Sequence, residues 1–589
     1  MIGERRTEPG TARAAGAAAG PRSGGRIVVD QLLANGIDAA FCVPGESFLA
    51  VLDALYEAPV RLLTCRHEAA AANMAVAYGK LTGRPGVCLV TRGPGATQAS
   101  VGVHTAAQDS APMLLLVGQV GRGHRGREAF QELDVPAVFG PMAKWAAEAG
   151  DPARLPELLA RAVHVAVSGR PGPVVLALPE DVLTAETVVA DARPARPVAP
   201  HPAPGDLARL RELLGGSRRP LVVAGGPGWT EAASAGLRAV AEASRLPVAV
   251  SFRSQDVLDN RSASYVGDLG VGANPALAER VRAADLLLAV GPRLGEITTG
   301  GYRLLEAPVA RQRLVHVHPG AEELGRVYQP DLAVNAAVAP FVAALRSVPP
   351  VPGDAWGPWT EAARGNYLAW VRPWPAPGRL DLGQVMAWLR ERLPDDAVMA
   401  SGAGNYTGWV HRYYQFHRLG TQLAPKSGAM GFGVPAALAA KLVHPGRVVV
   451  AVAGDGCFQM SGQELATAVQ HRLDVVVLVV NNGMYGTIRM HQERSYPGRV
   501  IATDLVNPDF AALARAYGAH GEVVETTAAF PDAFERALAA GRPALLELRT
   551  DAEAMSPTVT LSALRATGPG RVAVSATALP GAGGAARID

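Results

Sequence analysis

Two short valine-rich runs with a helix-length segment between them constrain this chain more than any other feature. Val448 to Val452 leads into Gly454-Asp455-Gly456, and Val475 to Val480 leads into Asn481-Asn482. Both runs are β-branched and too short for buried helices, so they read as strands, and the segment from Gln463 to His471 between them has helical spacing. A strand, a crossover helix and a second strand make a parallel pair, which places both polar clusters at the carboxyl ends of neighbouring strands. Ligands collect at that edge of an open α/β sheet, where strand ends and helix starts leave backbone N–H groups free. Asp455 offers an anionic oxygen there and Asn482, 27 positions later, a neutral one. Such hard donors suit Mg²⁺ when phosphate oxygens complete its octahedron, and Gly454 and Gly456 let the backbone come close to those phosphates. A lone Gly-Asp-Gly marks an ordinary turn; the paired asparagines at the next strand end make the pattern specific.

The same βα alternation fills three blocks, 26 to 190, 204 to 350 and 375 to 552, joined by proline-rich connectors near residues 192 to 205 and 347 to 359. The expected fold class is therefore α/β, with three doubly wound parallel-sheet domains. Residues 1 to 25 and the end of the chain are rich in alanine, glycine and arginine; the first read as a disordered extension, and 553 to 589 as a tail, part lid and part disordered. A net charge of +3, with both signs mixed throughout, gives neither a nucleic-acid footprint nor a polybasic membrane patch. No apolar run approaches the roughly 18 residues of a membrane span. Cys42, Cys65, Cys88 and Cys457 form no CxxC pair and read as reduced thiols of a cytoplasmic protein.

In the first block, Arg66-His67-Glu68 opens an alanine-rich helix, and Thr91-Arg92-Gly93-Pro94-Gly95-Ala96-Thr97 closes the next strand. Glu68 alone could be a surface acid favoured by the first helical turn. Together with the metal motif, these residues resemble the thiamine diphosphate (ThDP) enzymes, and among them the acetolactate synthase branch. The resemblance implies a first domain that binds the cofactor's pyrimidine, a central domain, and a third that binds its diphosphate. It makes Glu68 the acid, buried among alanines, that meets N1′ of the aminopyrimidine. It makes Asp455 and Asn482 ligands of Mg²⁺, with the main-chain oxygen of Met484 as a third. Gly404, Asn405 and Tyr406, in a glycine-rich turn, join Gly454, Gly456, Cys457 and Tyr485 around the diphosphate, although the family has other residues at positions 405 and 406. Met430 by itself is ordinary core; the family's spacing makes it the apolar wedge beneath the folded cofactor.

The substrate wall is where the chain departs from the family. Phe130 and Gln131 match a Phe-Gln that lines the family's channel, and Ser47 and Glu493 complete the candidate substrate residues. Glu46 stands where a glycine is usual and could point toward the reacting carbon or turn into solvent. His491 stands where a selecting tryptophan is often found, and the two are expected to face each other across the pocket mouth. In the second block the family binds FAD, or ADP in some relatives; here Arg293 is kept, Gly295-Glu296 replaces an acidic pair, and Leu221 to Thr230 holds no full dinucleotide fingerprint. The central domain is read as able to bind a nucleotide or standing empty.

Three functions compete. The first is ThDP- and Mg²⁺-dependent decarboxylation and carboligation of 2-keto acids by a homodimer or dimer of dimers. The second is a ThDP-dependent C–C lyase or decarboxylase on a 2-hydroxyacyl-CoA, a sulfonated aldehyde or a diketone. The third is a non-catalytic scaffold, against which an intact Glu68, Asp455 and Asn482 argue.

Overall fold

The valine-rich runs ending at Val452 and Val480 are strands buried on both faces, as parallel sheets flanked by helices require. The computed structural model describes residues 20–347 and 355–567, and they form three six-stranded, wholly parallel sheets. In spatial order the first sheet runs Arg61–Thr64, Ala39–Cys42, Gly86–Val90, Met113–Gln119, Pro173–Pro179, Trp145–Glu148. The third runs Gln422–Leu423, Val398–Ser401, Val449–Gly454, Val476–Asn481, Ala544–Arg549, His520–Val524. The two share one topology, with the chain reversing direction across the sheet between the first and third strands. The central sheet differs. It runs Tyr265–Asp268, Val248–Val250, Pro220–Ala224, Leu286–Val290, Arg313–His318, Leu332–Asn335, the doubly wound order of dinucleotide-binding domains.

The first and third domains meet through helices made of small residues. Helix Glu68–Thr82 packs on Gly93–Asp109 of its own domain and on Gly433–Val443 of the third, and one buried cluster continues through all three. The alanines permit this closeness: a side chain at Gly102 would begin 2.3 Å from the methyl of Ala72. The central domain docks on the third by buried hydrogen bonds. Gln255 donates to the carbonyl of His411 at 2.6 Å, and Asp256 accepts the N–H groups of Gly420, Thr421 and Gln422.

Two boundaries move. Residues 22 to 25, which composition assigns to the extension, belong to the fold: Arg22–Ser23 pairs with Glu186–Thr187, and Ser23 caps helix Gly24–Ala34. Beyond 552 the chain forms a hairpin, Ala554–Ser556 with Val559–Thr560, and helix Leu561–Thr567. Met555, Leu561 and Leu564 pack there against Met484 and Met490, covering helix Gly486–Ser495. The rest of both tails lies outside the described residues. All four cysteines are free and buried, and no described helix is long and apolar enough to cross a membrane.

Candidate cofactor site

At the reversal point of the third sheet, strand Val449–Gly454 delivers Asp455 into a short helical turn, Asp455–Phe458. Asp455 is almost fully buried, and three N–H donors surround its carboxylate. Oδ1 accepts from Gly456 at 2.8 Å, and Oδ2 accepts from Gly483 at 2.9 Å and from the Asn507 amide at 2.8 Å. Burial pushes this carboxyl above its ordinary range, and those donors oppose the push. The neighbouring strand ends at Asn481; Asn482 follows, its Oδ1 accepting the N–H of Met484 at 3.2 Å, with Gly483 between them at φ +70°. The chain therefore folds the turns that carry Asp455 and Asn482 onto one spot. The carbonyl of Met484 accepts the Gly486 N–H at 2.9 Å and retains one lone pair.

Strand Val398–Ser401 leads into the adjacent glycine-rich turn. Tyr406 is buried there, its hydroxyl donating to Cys457 Sγ at 3.3 Å and accepting the Gly402 N–H at 3.1 Å. Cys457 also accepts the Gly431 N–H at 3.2 Å. Side chains at Gly454 and Gly404 would begin within 2.9 Å of the Tyr406 ring, so glycine is required at both. Asn405 accepts the Thr487 hydroxyl at 2.9 Å, and Tyr485 caps helix Gly486–Ser495. Met430 lies half-buried between Gly428 and Gly431, both at positive φ, against the third domain's core.

On the first sheet, the strand that ends in Thr64 turns into helix Glu68–Thr82 with His67 as its cap and Glu68 as its first residue. Glu68 is half-buried rather than enclosed by the alanines, because it stands at the open end of the helix. Its Oε1 lies 3.5 Å from where a side chain at Gly95 would begin.

The same three domains appear in comparison with known proteins. Residues 22–138 match the model of the thiamine pyrophosphate enzyme N-terminal TPP binding domain, 207–345 the central domain, and 402–548 the C-terminal TPP binding domain. The chain is 34% identical over 520 residues to the acetolactate synthase large subunit of Parasynechococcus marenigrum, covering 85% of this chain and 83% of that one. The chain belongs to the acetolactate synthase family of thiamine pyrophosphate enzymes. It is also 31% identical over 539 residues to the acetolactate synthase isozyme 2 large subunit of Escherichia coli, covering 90% of this chain and 96% of that protein.

Within this acetolactate synthase family member, each candidate substrate residue has defined surroundings in the single chain. Glu46 turns to Arg92, whose Nη2 lies 2.9 Å from it and 2.9 Å from Glu180, while Nη1 donates to the carbonyl of Phe130. Ser47 is buried against Thr91, and Gln131, at φ +64°, uses its carbonyl to accept the Gly93 N–H. Phe130 projects outward, 72% exposed. The carboxylate of Glu493 is fully enclosed and bound to Arg565 at 2.7 Å and to the Gly498 N–H, so the acid closes the C-terminal helix onto helix Gly486–Ser495. His491 is exposed on that helix. Among the described residues no hydrogen bond or ion pair joins it to Glu46, which the Arg92 pair holds on the first domain. Sequence reasoning passed over Arg92, Asn507 and Arg565, because each acts on a residue tens of positions away. Only Arg92 left a signal, in the Thr-Arg-Gly-Pro-Gly turn.

Proposed function

We propose that this chain carries out ThDP- and Mg²⁺-dependent decarboxylation and carboligation of 2-keto acids, as the names of its relatives describe for them. The observation that carries the reading is the convergence of Asp455 and Asn482 at neighbouring strand ends, in a chain whose first domain presents Glu68 at a helix start. The residues fit the cofactor. Asp455 offers one carboxylate, Asn482 one amide oxygen and Met484 its main-chain carbonyl, so a cation beside them would take its remaining oxygens from outside the chain, as a diphosphate and water provide. A divalent ion would also reverse the upward push that burial gives the Asp455 carboxyl.

Asp455, Asn482 and the Met484 carbonyl would hold Mg²⁺. Gly404, Asn405, Tyr406, Gly454, Gly456, Cys457 and Tyr485 would line the diphosphate, and Met430 would lie under the ring system. Glu68 would exchange a proton with the aminopyrimidine nitrogen, the one acid–base step assigned to this chain's own residues. ThDP supplies, when bound, the nucleophilic carbon at which C–C bonds break and form. The family arrangement divides the site between two copies, pyrimidine on one chain's first domain and diphosphate on the partner's third, so the active form is a homodimer or a dimer of dimers. Exposed Phe130 and Met460 near the two half-sites support that arrangement.

The central domain adds a cavity lined by Gln108, Ser251, Phe252, Arg293, Thr298 and Lys426. The central domain's strand order suits a nucleotide, FAD or ADP, whose phosphates Arg293 and Lys426 would meet beside the acids Asp109 and Glu296 that also line the cavity. Absorbance and mass of what heat releases from the purified protein test this.

The Glu46–Arg92 pair, where the family has a glycine at position 46, favours as second reading a C–C lyase or decarboxylase on a more polar substrate. One assay separates the readings: purified protein with ThDP, Mg²⁺ and a panel of 2-keto acids, following CO₂ and products by mass. Release of CO₂ from pyruvate with a product of two pyruvates less one CO₂ supports carboligation. Inertness toward every 2-keto acid, with cleavage of a hydroxyacyl thioester, sulfonated aldehyde or diketone, replaces it by the second reading.

A further inference from the structure

The helix that follows the metal loop reaches the first domain through a buried acid. Glu464 opens helix Glu464–His471 and has no exposed surface. Its Oε1 accepts the backbone N–H of Arg66 at 3.0 Å, and its Oε2 accepts the hydroxyl of Thr467, also fully buried, at 2.6 Å. The same helix grips the same turn twice more. His471 Nε2 accepts the Thr64 N–H at 3.2 Å, and Gln470 Oε1 accepts the Arg66 guanidinium at 2.6 Å.

That turn has one destination. Two residues after Arg66 the chain enters helix Glu68–Thr82, with the cap His67 extended at φ −153° and ψ 140° and Glu68 at the first helical position. Glu68 stands at the open end of its helix, half-buried, so neighbouring side chains do not enclose it on every side. The backbone N–H of Arg66 is a donor that needs an acceptor when turned inward, and Glu464 provides one from a different domain. Thr467 in turn orients the acid.

We infer that Glu464 is a positioning residue: by holding the Arg66 N–H it sets the direction in which Glu68 presents its carboxylate. This rests on the proposed role of Glu68 toward the aminopyrimidine, and it adds a residue from the third domain to the first domain's proton chemistry. The acceptor oxygen does the positioning. Glutamine keeps an oxygen for Arg66 and can donate to Thr467, whereas alanine leaves the N–H without a partner.

The test uses full-length Glu464→Ala, Glu464→Gln and Thr467→Val. In the cofactor-free protein, amide hydrogen exchange at Arg66 should be slow in the parent and in Glu464→Gln, and faster in Glu464→Ala. With ThDP and Mg²⁺ added, Glu464→Ala should lose on the order of tenfold in kcat with a displaced pH profile, because small misplacements of a proton-transfer group are costly. Its KM and its ThDP affinity should stay within about twofold, and Glu464→Gln should recover most of the loss. A folded Glu464→Ala with parental Arg66 exchange and pH profile overturns the inference, as does a glutamine variant no better than alanine. If Glu464→Ala does not fold, the nearly isosteric Thr467→Val carries the test: it should show the same changes to a smaller degree, and parental exchange and pH profile in it overturn the inference. Glu68→Gln is measured alongside. If it is active, the role of Glu68 itself falls; if it is inactive while Glu464→Ala behaves as the parent, only the positioning role falls.

Discussion

The first and third domains have the same strand order and build their edges in opposite ways. On the third sheet the site is made by the chain itself: Asp455 and Asn482 end adjacent strands, and backbone N–H groups of Gly456, Gly483 and Met484 fix their oxygens. On the first sheet, at the matching reversal point, a side chain organises the edge. Arg92 ties together Glu46 and Glu180, each at the start of a short helical segment, and the Phe130 carbonyl. A metal and a diphosphate ask for fixed oxygens and free N–H groups, which backbone turns supply. The first-domain edge, proposed as a substrate wall, is held instead by side-chain pairs.

The largest effect that would break this contrast is loss of Asp455. Asp455→Ala removes one of the two side-chain metal ligands proposed above, and Mg²⁺-dependent ThDP binding should be abolished; calorimetry with and without a chelator checks it. Next comes Glu68→Gln, which should keep cofactor affinity and lose on the order of 10² or more in turnover, since only proton exchange with the aminopyrimidine is removed. Near-parental turnover would leave the first domain's edge without its acid. Asn507→Ala sharpens the comparison, because Asn507 is a side chain supporting an otherwise backbone-built site: it donates to both Asp455 and Asn481. Mg²⁺ affinity should fall about tenfold, the usual cost of losing a group that orients a metal ligand.

The smallest effect concerns the buried seam with the central domain. His411 packs edge-on against Phe252, has an unpartnered Nε2, and is pushed by burial down to about 3. It is neutral in the fold and takes up a proton on unfolding between its ordinary value and 3, so stability should fall as pH falls through that window. His411→Phe should flatten this acid limb in thermal melts while leaving melts above neutral pH nearly unchanged.

The same contrast decides what was legible in the sequence. Val448 to Val452 and Val475 to Val480 are strands within a residue or two of their expected places, since an apolar run of that length fits a sheet buried on both faces. Asp455 and Asn482 were legible because they sit within a few residues of the strands that aim them. For Glu46, Ser47 and Glu493 the contacts were not. Their partners, Arg92, Thr91 and Arg565, lie 44 to 72 positions away, and nothing in a local pattern shows which acid meets which base. Glu68 is half-buried in the single chain because it occupies the helix end, while the alanines that follow it face the neighbouring helices. The central domain's doubly wound, Rossmann-like class was legible in its βα alternation, even though Leu221 to Thr230 lacks the full glycine fingerprint.

The central claim, that these two differently built edges form one site across two copies of the chain, has a direct test. Glu68→Gln and Asp455→Ala protein, each inactive alone, are mixed, dissociated and reassembled, and carboligation is assayed. The account predicts that activity returns, because some mixed dimers carry one site with an intact Glu68 from one copy and an intact Asp455 from the other. No recovery in a mixture proven to exchange subunits, or a parent protein that is monomeric by light scattering while fully active, would contradict it.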